Sequence, residues 1–168
     1  IWMLPNGQMG FYDKRHLFAY AGEDQHYTAG NKRLIASVKG WKINLQVCYD
    51  LRFPVWARQT FNQGNDPSEN TIPPYDVLLY VANWPEKRNH AWKTLLTARA
   101  IENQCYVLAC NRVGKDANQL NYNGHSQVID MFGNELLTPQ EQEGFYVVNI
   151  SADALIEGRK NLPFLKDA

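Results

Sequence analysis

From residue 76 to residue 111 the chain runs apolar, then amphipathic, then apolar again, and this order constrains the fold more than any other feature. Asp76–Ala82 is a continuous apolar run bounded by turn residues and ending at Asn83-Trp84-Pro85, the mark of a buried strand. His90–Gln104 then places Ala91, Trp92, Leu95, Leu96, Ala98 and Ile101 at helical spacing, with Asn89 as its cap. Arg99 and Glu102 stand one turn apart and read as a structural ion pair on that helix. Cys105–Asn111 is again a buried strand. A second strand–helix order lies upstream, where Trp41–Cys48 precedes Pro54–Gln63. Val55, Trp56, Ala57 and Phe61 suit a short amphipathic helix that opens with a proline in its first turn. Strand–helix–strand alternation therefore appears twice, and α/β or α+β layering is expected.

The remaining segments are shorter. Asn6-Gly7 with Gly10 reads as a hairpin turn between Ile1–Leu4 and Met9–Asp13, which leaves Lys14 at the end of a strand. His16–Asn31 is polar, has no clear period, and reads as a long loop. Leu34–Val38 and Trp41–Cys48 form a hairpin across Lys39-Gly40, the second arm alternating Ile43, Leu45 and Val47 against Lys42, Asn44 and Gln46. Gly64–Pro74 is a surface loop. Ser126–Met131, Glu135–Leu137 and Gly144–Ile150 read as a meander, and Ser151–Ala168 as a short helix leading into an extension interrupted at Pro163. No internal repeat or low-complexity tract occurs, and the 168 residues are expected to form one domain.

Seventeen basic residues balance seventeen acidic ones with no like-charged block, so neither a nucleic-acid partner nor a membrane surface is expected. Val77–Ala82 and Tyr106–Ala109 fall far short of the ~20 apolar residues needed to cross a bilayer, and a soluble protein is expected. Cys48, Cys105 and Cys110 lack CxxC spacing, which argues against a disulfide framework or a zinc ribbon and makes a reducing cytoplasm the default. Cys105 and Cys110 read as small buried hydrophobes. His16, His26, His90 and His125 lack metal-ligand spacing and read as ordinary hydrogen-bonded histidines, so no metal is expected. Ile1-Trp2-Met3-Leu4-Pro5 has no initiator Met and no signal-peptide character, and reads like the middle of a longer sequence.

Cys48 sits in different company from the other two cysteines. An apolar strand, the cysteine, the polar turn Tyr49-Asp50-Leu51-Arg52-Phe53-Pro54 and then a helix would set the thiol at a sharp bend. There the following N–H is free to bind an oxyanion. Architecture alone leaves a nucleophile and a buried hydrophobe both open, and Lys14 alone would be a surface lysine.

The combination of Tyr12-Asp13-Lys14-Arg15-His16-Leu17-Phe18 with Val47-Cys48-Tyr49-Asp50-Leu51-Arg52-Phe53-Pro54 resembles the lysine and cysteine signatures of the nitrilase superfamily of carbon–nitrogen hydrolases. Further matches follow in order: Ala82-Asn83-Trp84-Pro85, Arg99-Ala100-Ile101-Glu102-Asn103-Gln104, Cys110-Asn111-Arg112-Val113-Gly114 and Gly124-His125-Ser126. The Tyr-Asp-Lys-Arg-His-Leu-Phe and Asn-Trp-Pro strings are most similar to the omega-amidase, or 2-oxoglutaramate amidase, branch.

The resemblance implies a four-layer αββα sandwich, here lacking its N-terminal portion, so that residues 1–168 are the C-terminal two-thirds or so of one domain. It also implies a homodimer stacked αββααββα, a Glu-Lys-Cys catalytic set, no cofactor, and a small amide substrate such as 2-oxoglutaramate. Cys48 would be the nucleophile. Lys14 would favour its thiolate and, with the N–H of Tyr49, hold the oxyanion. A glutamate must carry the protons, and the resemblance places it on an N-terminal segment not included here, supplied by a longer protein or by a separate chain. Glu23 matches a second, substrate-orienting glutamate. Arg52, four residues after Cys48, would receive a substrate carboxylate or stand as a plain surface charge or helix-start ion pair, with Arg88 the next candidate for the carboxylate, and Asn83 and Trp84 would form pocket wall or pack in the core. Other branches hydrolysing carbamoyl amides, aliphatic amides or nitriles stay open, as does a catalytically silent fragment or subunit.

Overall fold

The computed structural model describes residues 1–59 and 74–167. The first hairpin pairs β1 (Trp2–Met3) antiparallel with β2 (Met9–Gly10), Trp2 facing Gly10. Gly7 closes it with φ 85°, a conformation that costs glycine nothing. The polar stretch read as a loop contains two 3-10 turns, Ala19–Ala21 and Glu23–Gln25, on either side of Gly22.

Next come β3 (Ile35–Val38) and β4 (Trp41–Val47), antiparallel across Lys39-Gly40. A 3-10 turn over Cys48–Arg52 leads to α1 (Pro54–Ala57). The helix expected over Pro54–Gln63 is thus one turn long up to Gln59, and its remaining positions lie outside the described residues. It stops because Gln59 is held elsewhere: its N–H donates to Asn103 Oδ1 at 3.0 Å and its Nε2 to Asn103 O. The loop expected over Gly64–Pro74 also lies almost wholly outside the described residues.

β5 (Val77–Ala82), α2 (Asn89–Asn103) and β6 (Tyr106–Asn111) form the strand–helix–strand unit, and β5 pairs parallel with both β4 and β6. Asn89 does not cap α2. It is the first helical residue, preceded by Arg88, and no side chain bonds the helix start. The helix ends at Gln104, whose φ of 43° is held by its Nε2 donating to Leu162 O and by Arg159 Nε donating to its carbonyl. A hairpin not anticipated from the sequence, β7 (Val113–Lys115) with β8 (Asn121–Asn123), precedes β9 (Gln127–Ile129). The main sheet runs β3-β4-β5-β6-β9.

The meander shrinks to β9 and two isolated bridges, Ser126 to Gln140 and Ile129 to Glu135. Gly144–Ile150 forms no strand, because its backbone finds no neighbouring strand among the described residues and Phe145 and Val147 stand in solvent. α3 (Ala152–Asn161), capped by the Ser151 hydroxyl, packs Leu155 against Val77, Tyr106 and Met131. Among the described residues no helix is long and apolar enough to cross a membrane.

The two sheet faces differ in what covers them. Leu78, Tyr80, Val107, Ala109 and Ile129 lie under α2, against Trp92, Leu96 and Ala100. Trp92 has no exposed surface, and truncating such a residue costs about 3–5 kcal/mol. On β4 it is the polar Asn44 and Gln46 that are buried, while Ile43, Leu45 and Val47 stay half-exposed. Through the parallel register those three align with Val77, Leu79 and Val81. They extend an apolar opposite face with Leu108 and Cys110, and Val81 remains 50% exposed. Both faces of β5 and β6 are apolar, which is why these strands read as continuous runs. Cys105 is buried as expected. Cys110 is exposed, because it lies beside Val81 near the end of β6, beyond the part of this face that α3 covers.

Candidate active site

Two segments far apart in sequence build the site. Along Phe11–His16 burial alternates, so Tyr12, Lys14 and His16 turn inward while Phe11, Asp13 and Arg15 face solvent. At the end of β4 the chain bends sharply. Cys48 takes φ 46°, a left-handed conformation that costs a non-glycine residue about 1–3 kcal/mol and lifts its side chain off the sheet. Lys14 and Cys48 line the same cavity of about 600 Å³, together with Tyr12, Glu23, Val47 and Asn83. That cavity opens beside Val81, at the exposed end of the sheet face whose other end α3 covers.

Lys14 Nζ donates to Glu23 Oε2 at 2.5 Å, and the same oxygen accepts the Phe18 N–H at 2.8 Å. Burial pushes the Glu23 carboxyl up, but the hydrogen bonds from Lys14 and Phe18 and the lysine's charge outweigh it, so its pKa lies below the usual carboxylate range. Glu23 is therefore an anion engaged by Lys14. The backbone at the lysine is pinned as well: Gly30 N donates to Lys14 O at 2.9 Å, and a Cβ on Gly30 would come within 2.1 Å of Asp13 O, which excludes any larger residue.

The Cys48 thiol has its pKa raised, not lowered. Burial raises it most, the Lys14 charge and a contact with the Asn83 carbonyl pull it down, and the charges of Glu23 and Asp50 raise it again. The Lys14 charge acts on the thiol in the expected direction, but desolvation is the larger effect. Such a thiol needs a base to take its proton as it attacks. Tyr49, second residue of the 3-10 turn, carries one of the N–H groups that a helix start leaves without an intrahelical partner.

A second cavity of about 460 Å³ adjoins the first, sharing Phe18, Glu23, Cys48 and Asn83. Tyr49, Arg52, Trp84 and Arg88 also line it. The Arg52 guanidinium lies over the Trp84 ring at 5.1 Å, and that of Arg88 lies over Phe18 at 5.4 Å. Among the described residues neither guanidinium has a carboxylate partner. Trp84 is more core than wall: it is 4% exposed, packs on Trp92, and donates Nε1 to Arg88 O. Asn83 is exposed and lines both cavities.

Arg99 and Glu102 form the expected ion pair at 3.0 Å, and Arg99 also donates to Leu51 O behind the cysteine turn. Arg88, the sequence's next candidate after Arg52 for a substrate carboxylate, lines the second cavity with it. Sequence reading passed over Asp50, the buried carboxylate of the cysteine turn, for which a charged residue between Tyr49 and Leu51 was the available signal. Among the described residues no group of three His, Cys, Asp or Glu side chains is placed to hold a metal ion.

Comparison with known proteins gives this geometry its family. The carbon-nitrogen hydrolase family model matches residues 1–160, and the chain belongs to that family. It is 48% identical over 165 residues to omega-amidase YafV of Escherichia coli K12, covering 98% of this chain and 60% of that protein. It is 36% identical over 156 residues to 2-oxoglutaramate amidase of Bacillus subtilis 168, covering 93% of this chain and 56% of that one. Among solved structures, a CN-hydrolase superfamily protein from Xanthomonas campestris with an arsenic adduct in its active site superposes with a TM-score of 0.91. It shares 51% identity, over 98% of this chain and 60% of that one. The mixed α/β fold is that of this superfamily, and the chain spans about 60% of the length of the nearest of these relatives.

Proposed function

We propose that the chain carries the nucleophile and lysine of an omega-amidase, which hydrolyses the terminal amide of a small carboxylic acid such as 2-oxoglutaramate. The observation that carries this reading is the meeting of Lys14, Glu23 and Cys48 in one cavity, adjoined by a second that presents guanidinium groups with no carboxylate partner among the described residues. The names of the Escherichia coli and Bacillus subtilis relatives support the substrate class.

In this mechanism Cys48 Sγ bonds to the amide carbon while its proton passes to a general base and the carbonyl electrons move onto oxygen. Lys14 and the Tyr49 N–H stabilise that oxyanion. The base returns the proton to nitrogen, the C–N bond breaks and ammonia leaves. Water, deprotonated by the same base, then attacks the thioester and releases acid and thiol. Glu23 orients Lys14, and Asn83 with one edge of Trp84 bounds the substrate. A carboxylate entering the partly dry cavity loses hydration, and Arg52 offers a planar donor in return.

Glu23 is already bound to Lys14, so the general base is assigned to a separate N-terminal segment of the same protein that covers the apolar face beside Val81. The four-layer αββα sandwich, with residues 1–168 as one domain's larger part, the homodimer and the cytoplasmic location belong to the same reading, as does catalysis without cofactor. A second reading has one observation in its favour. With Cys48 protonated and Glu23 engaged, this polypeptide by itself is catalytically silent.

Ammonia release from 2-oxoglutaramate, an aliphatic amide, an N-carbamoyl amino acid and a nitrile, measured on the full-length protein and on residues 1–168, tests the assignment. The proposal expects 2-oxoglutaramate to be preferred by the full-length protein and residues 1–168 to be inactive. Preference for the nitrile or carbamoyl compound overturns it.

A further inference from the structure

Asp50 occupies a place that the catalytic chemistry does not use. Its side chain has no exposed surface, yet it collects four donors. Oδ2 accepts the Tyr12 hydroxyl at 2.7 Å and the Val47 N–H at 3.0 Å. Oδ1 accepts the His16 N–H at 2.9 Å and lies 2.9 Å from His16 Nδ1. A carboxylate surrounded in this way only accepts, so the imidazole carries a proton on Nδ1. The ring is fixed further by stacking on Phe53, with centroids 3.7 Å apart. Tyr12 is fixed by Trp56 Nε1, which donates to its hydroxyl at 2.9 Å.

Tyr12 and His16 are the inward-facing neighbours of Lys14, two residues before and two after it. Both are tied to one carboxylate two residues beyond Cys48, and that carboxylate also holds the N–H of Val47 just before the cysteine. Lys14 lies beyond β2 in a segment without regular structure, which among the described residues shares no backbone ladder with the cysteine turn, and Asp50 ties the two by side-chain hydrogen bonds. We infer that Asp50 is a positioning residue that sets Lys14 against Cys48 by clamping Tyr12 and His16, the side chains that flank the lysine. This inference rests on the proposed roles of Cys48 and Lys14 and adds how their alignment is maintained. Misplacement of a catalytic group by about 1 Å costs up to roughly a hundred-fold in rate, so a tie of this kind is expected to govern turnover more than substrate binding.

The test uses the full-length protein with Tyr12→Phe and Asp50→Asn. Tyr12→Phe keeps the ring and removes only the hydroxyl, which bridges Asp50 and Trp56 and accepts the Arg15 N–H at 3.4 Å. The readouts are kcat and KM, and the pH midpoint for alkylation of Cys48 by iodoacetamide, followed by mass spectrometry of the Cys48 peptide. Lys14, Glu23 and Asp50 are the charges acting on that thiol. If the clamp acts through Lys14, Tyr12→Phe lowers kcat by about ten-fold or more, changes KM by no more than about two-fold, and raises the alkylation midpoint as the lysine drifts away. A variant that melts at lower temperature but keeps the wild-type kcat and midpoint shows Asp50 to be merely structural and overturns the inference. Should Asp50→Asn fail to fold, Tyr12→Phe decides alone. Cys48→Ala, run beside it, separates the two levels. Turnover surviving in Cys48→Ala defeats the nucleophile assignment, whereas an unmoved midpoint in Tyr12→Phe defeats only the clamp.

Discussion

Lys14 Nζ and Glu23 Oε2 meet at 2.5 Å, nine residues apart in a segment with almost no regular structure. The bond fixes the lysine at the cavity wall and keeps the glutamate ionised. Because the folded-state pKa of Glu23 is depressed, its contribution to stability is fully present above the unfolded value of about 4.3 and is lost as pH falls through the lower folded value. Glu23→Gln is expected to flatten the fall of the thermal midpoint between about pH 5 and pH 3. Unchanged acid sensitivity in the variant would remove Glu23 from the set of groups that govern it.

The raised Cys48 pKa makes a second expectation with a definite sign. The alkylation midpoint of Cys48 should lie above the ordinary thiol value of about 8.5. Lys14→Met should move it further up, and Glu23→Gln down, since the glutamate's charge opposes the thiolate. Rates for Cys48 measured across pH in a Cys110→Ser background, free of the second exposed thiol, check all three. A midpoint below 8 in the unmodified protein would show that burial is not the dominant influence.

The strand–helix–strand unit was legible because apolar runs and a strong helical period cover enough residues to outvote local ambiguity. Lys14 and Cys48 were legible through the strings around them, not through spacing. What escaped depends on tertiary partners. Asn44 and Gln46 look like a solvent face until the parallel register with Leu78 and Tyr80 turns them inward. The length of α1 is set by Gln59 bonding to Asn103, a contact 44 residues away. β7 and β8 are three residues each, too short for any period to show. Asp50 was visible as a letter, but its four donors come from three other residues that only the fold assembles.

Arg52 is the residue expected to discriminate charged from neutral substrates. Losing one charge-assisted contact costs about 1.5–3 kcal/mol, roughly ten- to a hundred-fold. Arg52→Ala in the full-length protein should therefore lower kcat/KM for 2-oxoglutaramate by that factor while sparing an uncharged amide. Equal losses on both would show that the stacking of Arg52 on Trp84 is structural, and Arg88, whose guanidinium lines the same cavity, becomes the carboxylate receptor.

Cys110 reports on the end of the apolar sheet face beyond α3, where Val81 is half-exposed among the described residues. In residues 1–168 alone it should alkylate readily. In the full-length protein it should be protected by at least about ten-fold if a further layer covers Val81 and Leu108, since exchange then requires that layer to open. Equal labelling of the two forms by mass spectrometry would mean that the face stays open to solvent. Cys105, fully buried with its thiol pushed well up by desolvation, should label only on unfolding in either form.

The central claim is that Cys48 attacks the amide and carries the acyl group. Rapid-quench intact-mass analysis of the full-length protein with 2-oxoglutaramate, alongside steady-state ammonia release, tests it most directly. The account predicts a transient acyl adduct on the Cys48 peptide, and predicts that Cys48→Ala shows neither adduct nor turnover above background. Near-normal ammonia release by Cys48→Ala, or an adduct mapping to another residue, would contradict it.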